Sequence, residues 1–291
     1  MSDEYFLDPR LVRQSFDAAS ATFDANAAVH GEIRKRLLER LDLVRLAPKV
    51  VVDLGAGTGA GSRALKQRYR SAQVVAIDLS TRMLHVAGRQ QALLRRFPRV
   101  AADARRLPIR DASADLVFSN LMLQWCNEPD AVFMETRRIL RPNGLFIFTT
   151  LGPDTLRELR EAWRHIDTRP HVHRFIDMHD LGDALLRTGF SEPVMDTERL
   201  TVTYATLDDL RRELKGSGSR NICAGRGSGL ASMQRLEALR VSAESARTAG
   251  VLAFALEVVY GHAWLGQPRV GATSGGEIRV PVGAIGRRRF T

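Results

Sequence analysis

Between Val50 and Thr149 four short apolar runs, Val50 to Leu54, Val74 to Ile77, Leu116 to Ser119 and Leu145 to Thr149, alternate with stretches of helical character. Strands that are apolar at nearly every position must be covered on both faces, and a chain that returns through a helix each time lays successive strands parallel. The pattern predicts a doubly wound, Rossmann-like α/β sheet. Pro142-Asn143-Gly144 ends a helix and turns the chain into the last of these runs.

The flanks read differently. Residues 10 to 46 are helical in pattern, with Ile33, Leu37, Leu41 and Val44 on one face expected to pack on the core; Phe16, Ala19 and Phe23 form a shorter stripe ahead of them that could close over a pocket or extend the core, with core packing the expected use. Beyond Thr150 helical pieces are predicted at Thr155 to His165 and Asp180 to Thr188, and strands at Val194 to Tyr204 and Ile278 to Ile285. Gly216-Ser217-Gly218-Ser219 reads as a flexible connector. The expected organisation is therefore an N-terminal helical cap (1–46), an α/β core (47–150), and a helical substrate-recognition insertion after the fifth strand with C-terminal strands that complete the sheet (151–291).

At 291 residues, 44% hydrophobic and 26% charged, the chain can bury a core of its own. The apolar stretch Val251 to Tyr260 is broken by Glu257 and too short to cross a bilayer. The acidic start lacks the features of a secretory signal, and two cysteines form no disulfide framework or local metal spacing, so a reducing cytoplasm is expected. The net charge is +10, and only four of the 43 basic side chains are lysine. Such a surface suits an acidic partner, and equally a merely solvated exterior.

The chemistry is concentrated in Asp53-Leu54-Gly55-Ala56-Gly57-Thr58-Gly59. Glycines at a strand-to-helix turn let a ligand lie on the main chain, and they tolerate positive φ. Asp78 ends the next predicted strand, nineteen residues after Gly59, where a carboxylate can accept from a ribose diol. Gly55-x-Gly57-x-x-Ala60 also satisfies the dinucleotide fingerprint, so a dehydrogenase competes. Against it, Asp53 at the strand end would repel a pyrophosphate and attract the ammonium and sulfonium of S-adenosylmethionine. Asp103, with Ala104, is placed to accept from an adenine amino group, and Ser119 and Asn120 stand at a carboxyl strand end. Leu79 and Met83 complete the expected cofactor-binding set.

The segment 45–150 resembles the class I S-adenosylmethionine-dependent methyltransferases, through Asp53-x-Gly55-x-Gly57-x-Gly59, Asp78, Asp103-Ala104 and Arg141-Pro142-Asn143-Gly144. More narrowly, the chain is similar to the malonyl-acyl-carrier-protein O-methyltransferases of biotin synthesis. That similarity rests on Phe16-Asp17-x-Ala19-Ser20-x-x-Phe23-Asp24, Leu121-Met122-Leu123-Gln124-Trp125, Gly152-Pro153-Asp154-Thr155-Leu156 and Phe175-x-Asp177-Met178-His179-Asp180-x-Gly182-Asp183. The resemblance implies a malonyl thioester on acyl carrier protein as acceptor, methylated on its free carboxylate. Phe23 stands where relatives commonly carry tyrosine, which leaves ring packing as its role. Related proteins also include assembly factors and protein-arginine hydroxylases, and an RNA methyltransferase is a further alternative suggested by the charge.

Methyl transfer from a sulfonium is an in-line displacement that depends on positioning. A carboxylate is already ionised at neutral pH, so no catalytic base is expected. Arg174 is the predicted cation that orients the acceptor carboxylate, with Phe23, Trp125 and His179 as further substrate-binding candidates; Trp125 could instead fill core. His171, His173 and His179 lack metal-ligand spacing, so no metal is expected.

Overall fold

The computed structural model describes residues 3–227, 233–244 and 247–266. In chain order its main elements are α1 (Pro9–Ala19), α2 (Ala28–Arg40), β1 (Val50–Leu54), α3 (Ala60–Arg68), β2 (Gln73–Asp78), α4 (Thr81–Gln90), β3 (Arg99–Ala101), β4 (Ala114–Asn120), α5 (Pro129–Ile139) and β5 (Leu140–Leu151). There follow α6 (Arg157–Arg164), α7 (Met178–Arg187), β6 (Ser191–Tyr204), α8 (Leu207–Gly216), α9 (Met233–Ala243), β7 (Arg247–Thr248) and β8 (Val251–Trp264).

The strands form one mixed sheet in the order β3-β2-β1-β4-β5-β8-β6, with β7 pairing β8. The first five run parallel, and β8 lies antiparallel to both β5 and β6. Because strand order reverses between β1 and β4, the helices after these two strands leave on opposite faces and a crevice opens at their carboxyl ends. All ligand-facing loops described below sit on this edge.

Side chains alternate between two cores. Val52, Leu54, Val117, Phe146 and Phe148 pack with Phe133 of α5 and Leu181 and Leu185 of α7. Val51, Val74, Phe118 and Ile147 pack on the other face with Ile33 and Leu37 of α2 and Leu65 of α3. A third cluster joins α6, α8 and α9 to the outer sheet through Leu159, Leu210, Leu239 and Phe254.

Several expectations change. The helical run 10–46 divides into α1 and α2, and Phe23 and Asp24 fall in the break. Phe16 and Phe23 face a cavity and not solely the core. The strand that completes the sheet beside β6 is the apolar stretch beginning at Val251, while the predicted strand Ile278 to Ile285 lies outside the described residues. Gly216 to Ser219 is packed in place: Ser15 Oγ donates to the Gly218 carbonyl at 2.8 Å, and Ser217 is buried. Among the described residues no helix is long and apolar enough to cross a membrane.

β6 and β8 are each 14 residues long, and only Val258 to Trp264 of β8 pair with β5. The remaining part, Leu252 to Glu257 against Arg199 to Tyr204, overhangs the parallel sheet.

Candidate functional site

The turn after β1 is shaped by Gly55, Gly57 and Gly59, at φ of 79°, 54° and 78°. A side chain at Gly55 would meet the Met122 side chain at 2.5 Å, whereas at Gly57 it would project into open space. That space is the crevice, bounded by Gly55, Gly57, Asp78, Leu79, Met83, Asp103, Ala104 and Asn120 together with Phe16, Phe23 and Arg105. Gly59 and Ala56 do not face it; they shape the turn from behind.

Asp78 closes β2 with its carboxylate on the crevice. One oxygen accepts from Gly57 N–H at 2.8 Å and the other from Ser80 N–H at 2.7 Å, which fixes the group in the plane of the turn. Burial outweighs these bonds and lifts its pKa to about 6. Each oxygen retains a lone pair, so two neighbouring hydroxyls of a sugar could be received together. Asp103 is gripped by Arg105, with Arg105 Nη2 at 2.6 Å and Arg105 N–H at 2.9 Å, and its carboxyl is held below the usual range. Flat apolar contacts from Leu79, Met83 and Ala104 lie beside it, the surroundings an adenine ring requires.

Asp53 is placed differently from expectation. Side chains alternate along β1, so Asp53 shares the face of Val51 and lies beneath α3, 2% exposed and outside the crevice lining. It accepts from Ser62 Oγ at 2.5 Å, and burial raises its pKa to about 6. That bond ties the end of β1 to α3 behind the glycine turn.

The N-terminal helices fasten over the crevice through two carboxylates. Asp17 accepts from Ser80 Oγ at 2.6 Å, and Ser80 in turn caps α4 by accepting from Met83 N–H. Asp24 accepts from Thr58 Oγ1 and from Gln90 Nε2, both at 2.6 Å. These three bonds explain why an Asp follows each of Phe16 and Phe23: the acids latch the segment and the rings line the space.

A second, larger cavity of about 700 Å³ adjoins the first, within the usual range for small-molecule sites. Its wall comes from Leu159 and Trp163 of α6, Leu210 and Lys215 of α8, Leu256 of β8, Val172 of the α6–α7 connection and Arg220 of the segment after α8. His30, Leu121 and Trp125 line both cavities and mark their junction. Trp125 is clamped edge-on between Phe16 at 5.1 Å and His173 at 4.8 Å. Its ring thus faces cavity and is not solely core.

Arg174 and His179 lie elsewhere. Arg174 is exposed and lines neither large cavity, bordering a small one beside Tyr5 and Ile176. His179 opens α7, whose apolar stripe Leu181, Ala184 and Leu185 turns inward and leaves His179 in solvent, bonded to the Asp177 cap at 2.8 Å. The other histidines are packed: His171 stacks on Trp163 at 3.5 Å, and burial holds His173 at a pKa of about 4. Among the described residues no group of side chains is arranged to hold a metal.

A methyltransferase-domain family model matches residues 52–148. A malonyl-[acyl-carrier protein] O-methyltransferase from Methylovorus sp. (strain MP688) is 48% identical over 280 residues, covering 94% of this chain and 95% of the relative. The protein of that name from Laribacter hongkongensis (strain HLHK9) is 47% identical, covering 91% and 92%. The chain belongs to the malonyl-[acyl-carrier protein] O-methyltransferase family.

Solved structures agree on the fold. Phosphoethanolamine N-methyltransferase 2 from Haemonchus contortus, in complex with S-adenosyl-L-methionine, has a TM-score of 0.55 at 17% identity, covering 86% of this chain and 57% of that one. The [4+2]-cyclase SpnF has a TM-score of 0.55 at 16% identity, covering 88% and 96%. One fold thus carries distinct chemistries, and it is family membership that closes the choice left by Gly55-x-Gly57-x-x-Ala60 in favour of a methyltransferase. His30 and Arg105 also line the crevice, and Asp24 fastens the segment that covers it. None of these was singled out in sequence as a ligand-site residue, since a lone histidine on a helix and isolated charged residues carry no spacing signal.

Proposed function

We propose that this chain transfers a methyl group from S-adenosyl-L-methionine to the free carboxylate of a malonyl thioester on acyl carrier protein, the step that opens pimeloyl assembly for biotin. The methyl donor is S-adenosyl-L-methionine, which supplies an electrophilic methyl carbon on a positively charged sulfur. The observation that carries the reading is the pair of cavities meeting at His30, Leu121 and Trp125: one has the carboxylate and glycine turn of a nucleoside site, and the other has room for an acyl thioester. Relatives bearing that name over nearly the whole chain support the acceptor.

Within this frame Asp78 would receive the ribose hydroxyls, Asp103, Ala104 and Met83 the adenine, and Gly55 and Gly57 the methionyl portion. Phe16 and Phe23, latched by Asp17 and Asp24, exclude water from the reacting atoms. Water exclusion favours this reaction, because an anion and a sulfonium combine to give two uncharged products. No side chain need remove a proton. The site of action is the cytoplasm, and the acidic carrier protein meets a surface of net charge +10.

The test is methyl transfer from labelled cofactor to malonyl carrier protein, malonyl coenzyme A and RNA in parallel, with mass spectrometry of the product. A methyl ester on the malonyl group of the carrier is expected; label on RNA alone would overturn the reading.

A further inference from the structure

Of the three residues common to both cavities, Leu121 is apolar and Trp125 is fixed between two rings. His30 is different. Its ring lies edge-on to Phe23 at 5.3 Å, and its carbonyl accepts from Asn120 Nδ2 at 3.3 Å, so backbone and ring are both located. Its ring nitrogens have no hydrogen-bond partner among the described residues. Nearby Gln124 is already committed, donating to the Leu121 carbonyl at 2.8 Å and accepting from Thr150 Oγ1 at 3.3 Å.

Resting on the reading above, we propose that His30 orients the acceptor: its imidazole N–H donates a hydrogen bond to the malonyl carboxylate and aligns the attacking oxygen with the methyl group. In the step itself a carboxylate oxygen lone pair forms the new O–CH3 bond, and the S–CH3 pair returns to sulfur as an uncharged thioether. No proton moves.

An uncharged donor suits this chemistry better than the guanidinium expected from sequence. The carboxylate loses its charge as the bond forms, so a fixed cation would stabilise the starting anion more than the transition state. Burial and the nearby Arg34 hold the His30 pKa at about 4, which keeps the ring neutral at working pH. Arg34 itself lines neither cavity and interacts with Asp53 and Asp24. Arg211, Arg212, Lys215 and Arg220 line the second cavity and not the first.

The experiment compares wild type with His30→Ala and His30→Gln, reading kcat/KM for malonyl carrier protein and, separately, cofactor Kd by calorimetry. His30→Ala should lower kcat/KM by about 10- to 100-fold, the loss of one hydrogen bond to a charged group. Cofactor Kd should stay within about twofold, and the amide of His30→Gln should restore most of the loss. An alanine variant as active as wild type, a parallel collapse of cofactor binding, or a glutamine variant no better than alanine would each overturn the role of His30. Absence of transfer by wild type would instead overturn the reading on which it rests.

Discussion

At the scale of single residues, the proposed cofactor site makes Asp78 the group on which affinity should turn. With Gly57 N–H on one oxygen and Ser80 N–H on the other, an amide in its place would point an NH2 at one of those donors. Asp78→Asn should therefore weaken S-adenosyl-L-methionine binding by about 10- to 100-fold, measurable by calorimetry. Ionisation matters in the same way. A bound diol needs the carboxylate, and the free protein takes up a proton as pH falls through about 6, so binding must then expel it. Affinity should be level above pH 7 and fall by up to about tenfold per unit below 6; a flat profile from pH 5 to 8 would remove Asp78 from the cofactor. Gly55→Ala is a third test. Its φ of 79° and a Cβ 2.5 Å from the Met122 side chain should cost about 1–3 kcal/mol, seen as a lowered Tm. That Gly55, Gly57 and Asp78 share one crevice was legible in sequence because their spacing is set by backbone geometry. Asp53, Arg174 and His179 were not, because the direction of a side chain depends on which face of the strand or helix the core occupies.

Among elements, strand periodicity was the strongest guide. Val50 to Leu54 was read to the residue, since five apolar or turn-proximal positions in a row admit little else. Arg99 to Ala101 escaped notice, being three residues long with an exposed arginine at the sheet edge. The long β8 was seen as an apolar run without being read as a strand, because a partner 48 to 73 positions away, from Tyr204 against Leu252 to Ser191 against Trp264, leaves no local trace. The α1–α2 segment was expected to pack; that it latches over the crevice followed only from Asp17 on Ser80 and Asp24 on Thr58. Removing both carboxylates, Asp17→Ala with Asp24→Ala, should release α1 from α4 at a cost of about 1 kcal/mol per bond. Hydrogen exchange in α1 and the cofactor dissociation rate should both rise, while exchange in β1 and β4 stays slow.

For the whole molecule, charge acts on two ranges. Burial sets His30 and His173 near pKa 4, below the ordinary 6.5, and sets Asp53 and Asp78 near 6, above 3.8. The histidines contribute stability that is present above 6.5 and lost as pH falls through 4. The aspartates contribute stability that is present below 3.8 and lost as pH rises through 6. Between pH 7 and 4 the two trends oppose, so the unliganded protein should keep a nearly level Tm, and Asp53→Asn should make it fall more steeply with acid. At longer range the net charge of +10 should draw in an acidic carrier. Raising salt from about 50 to 300 mM should then reduce kcat/KM for malonyl carrier protein several-fold, with little effect on a small malonyl thioester that lacks the carrier.

The part of β6 and β8 that projects past β5 bears the walls of the second cavity, while the glycine turn and Asp78 belong wholly to the parallel strands. Under the proposed function, donor binding and choice of recipient are thus written on separate stretches of chain that touch at a seam three side chains wide. Descendants of such a scaffold can rebuild the cantilever for a new recipient and inherit the donor half unaltered.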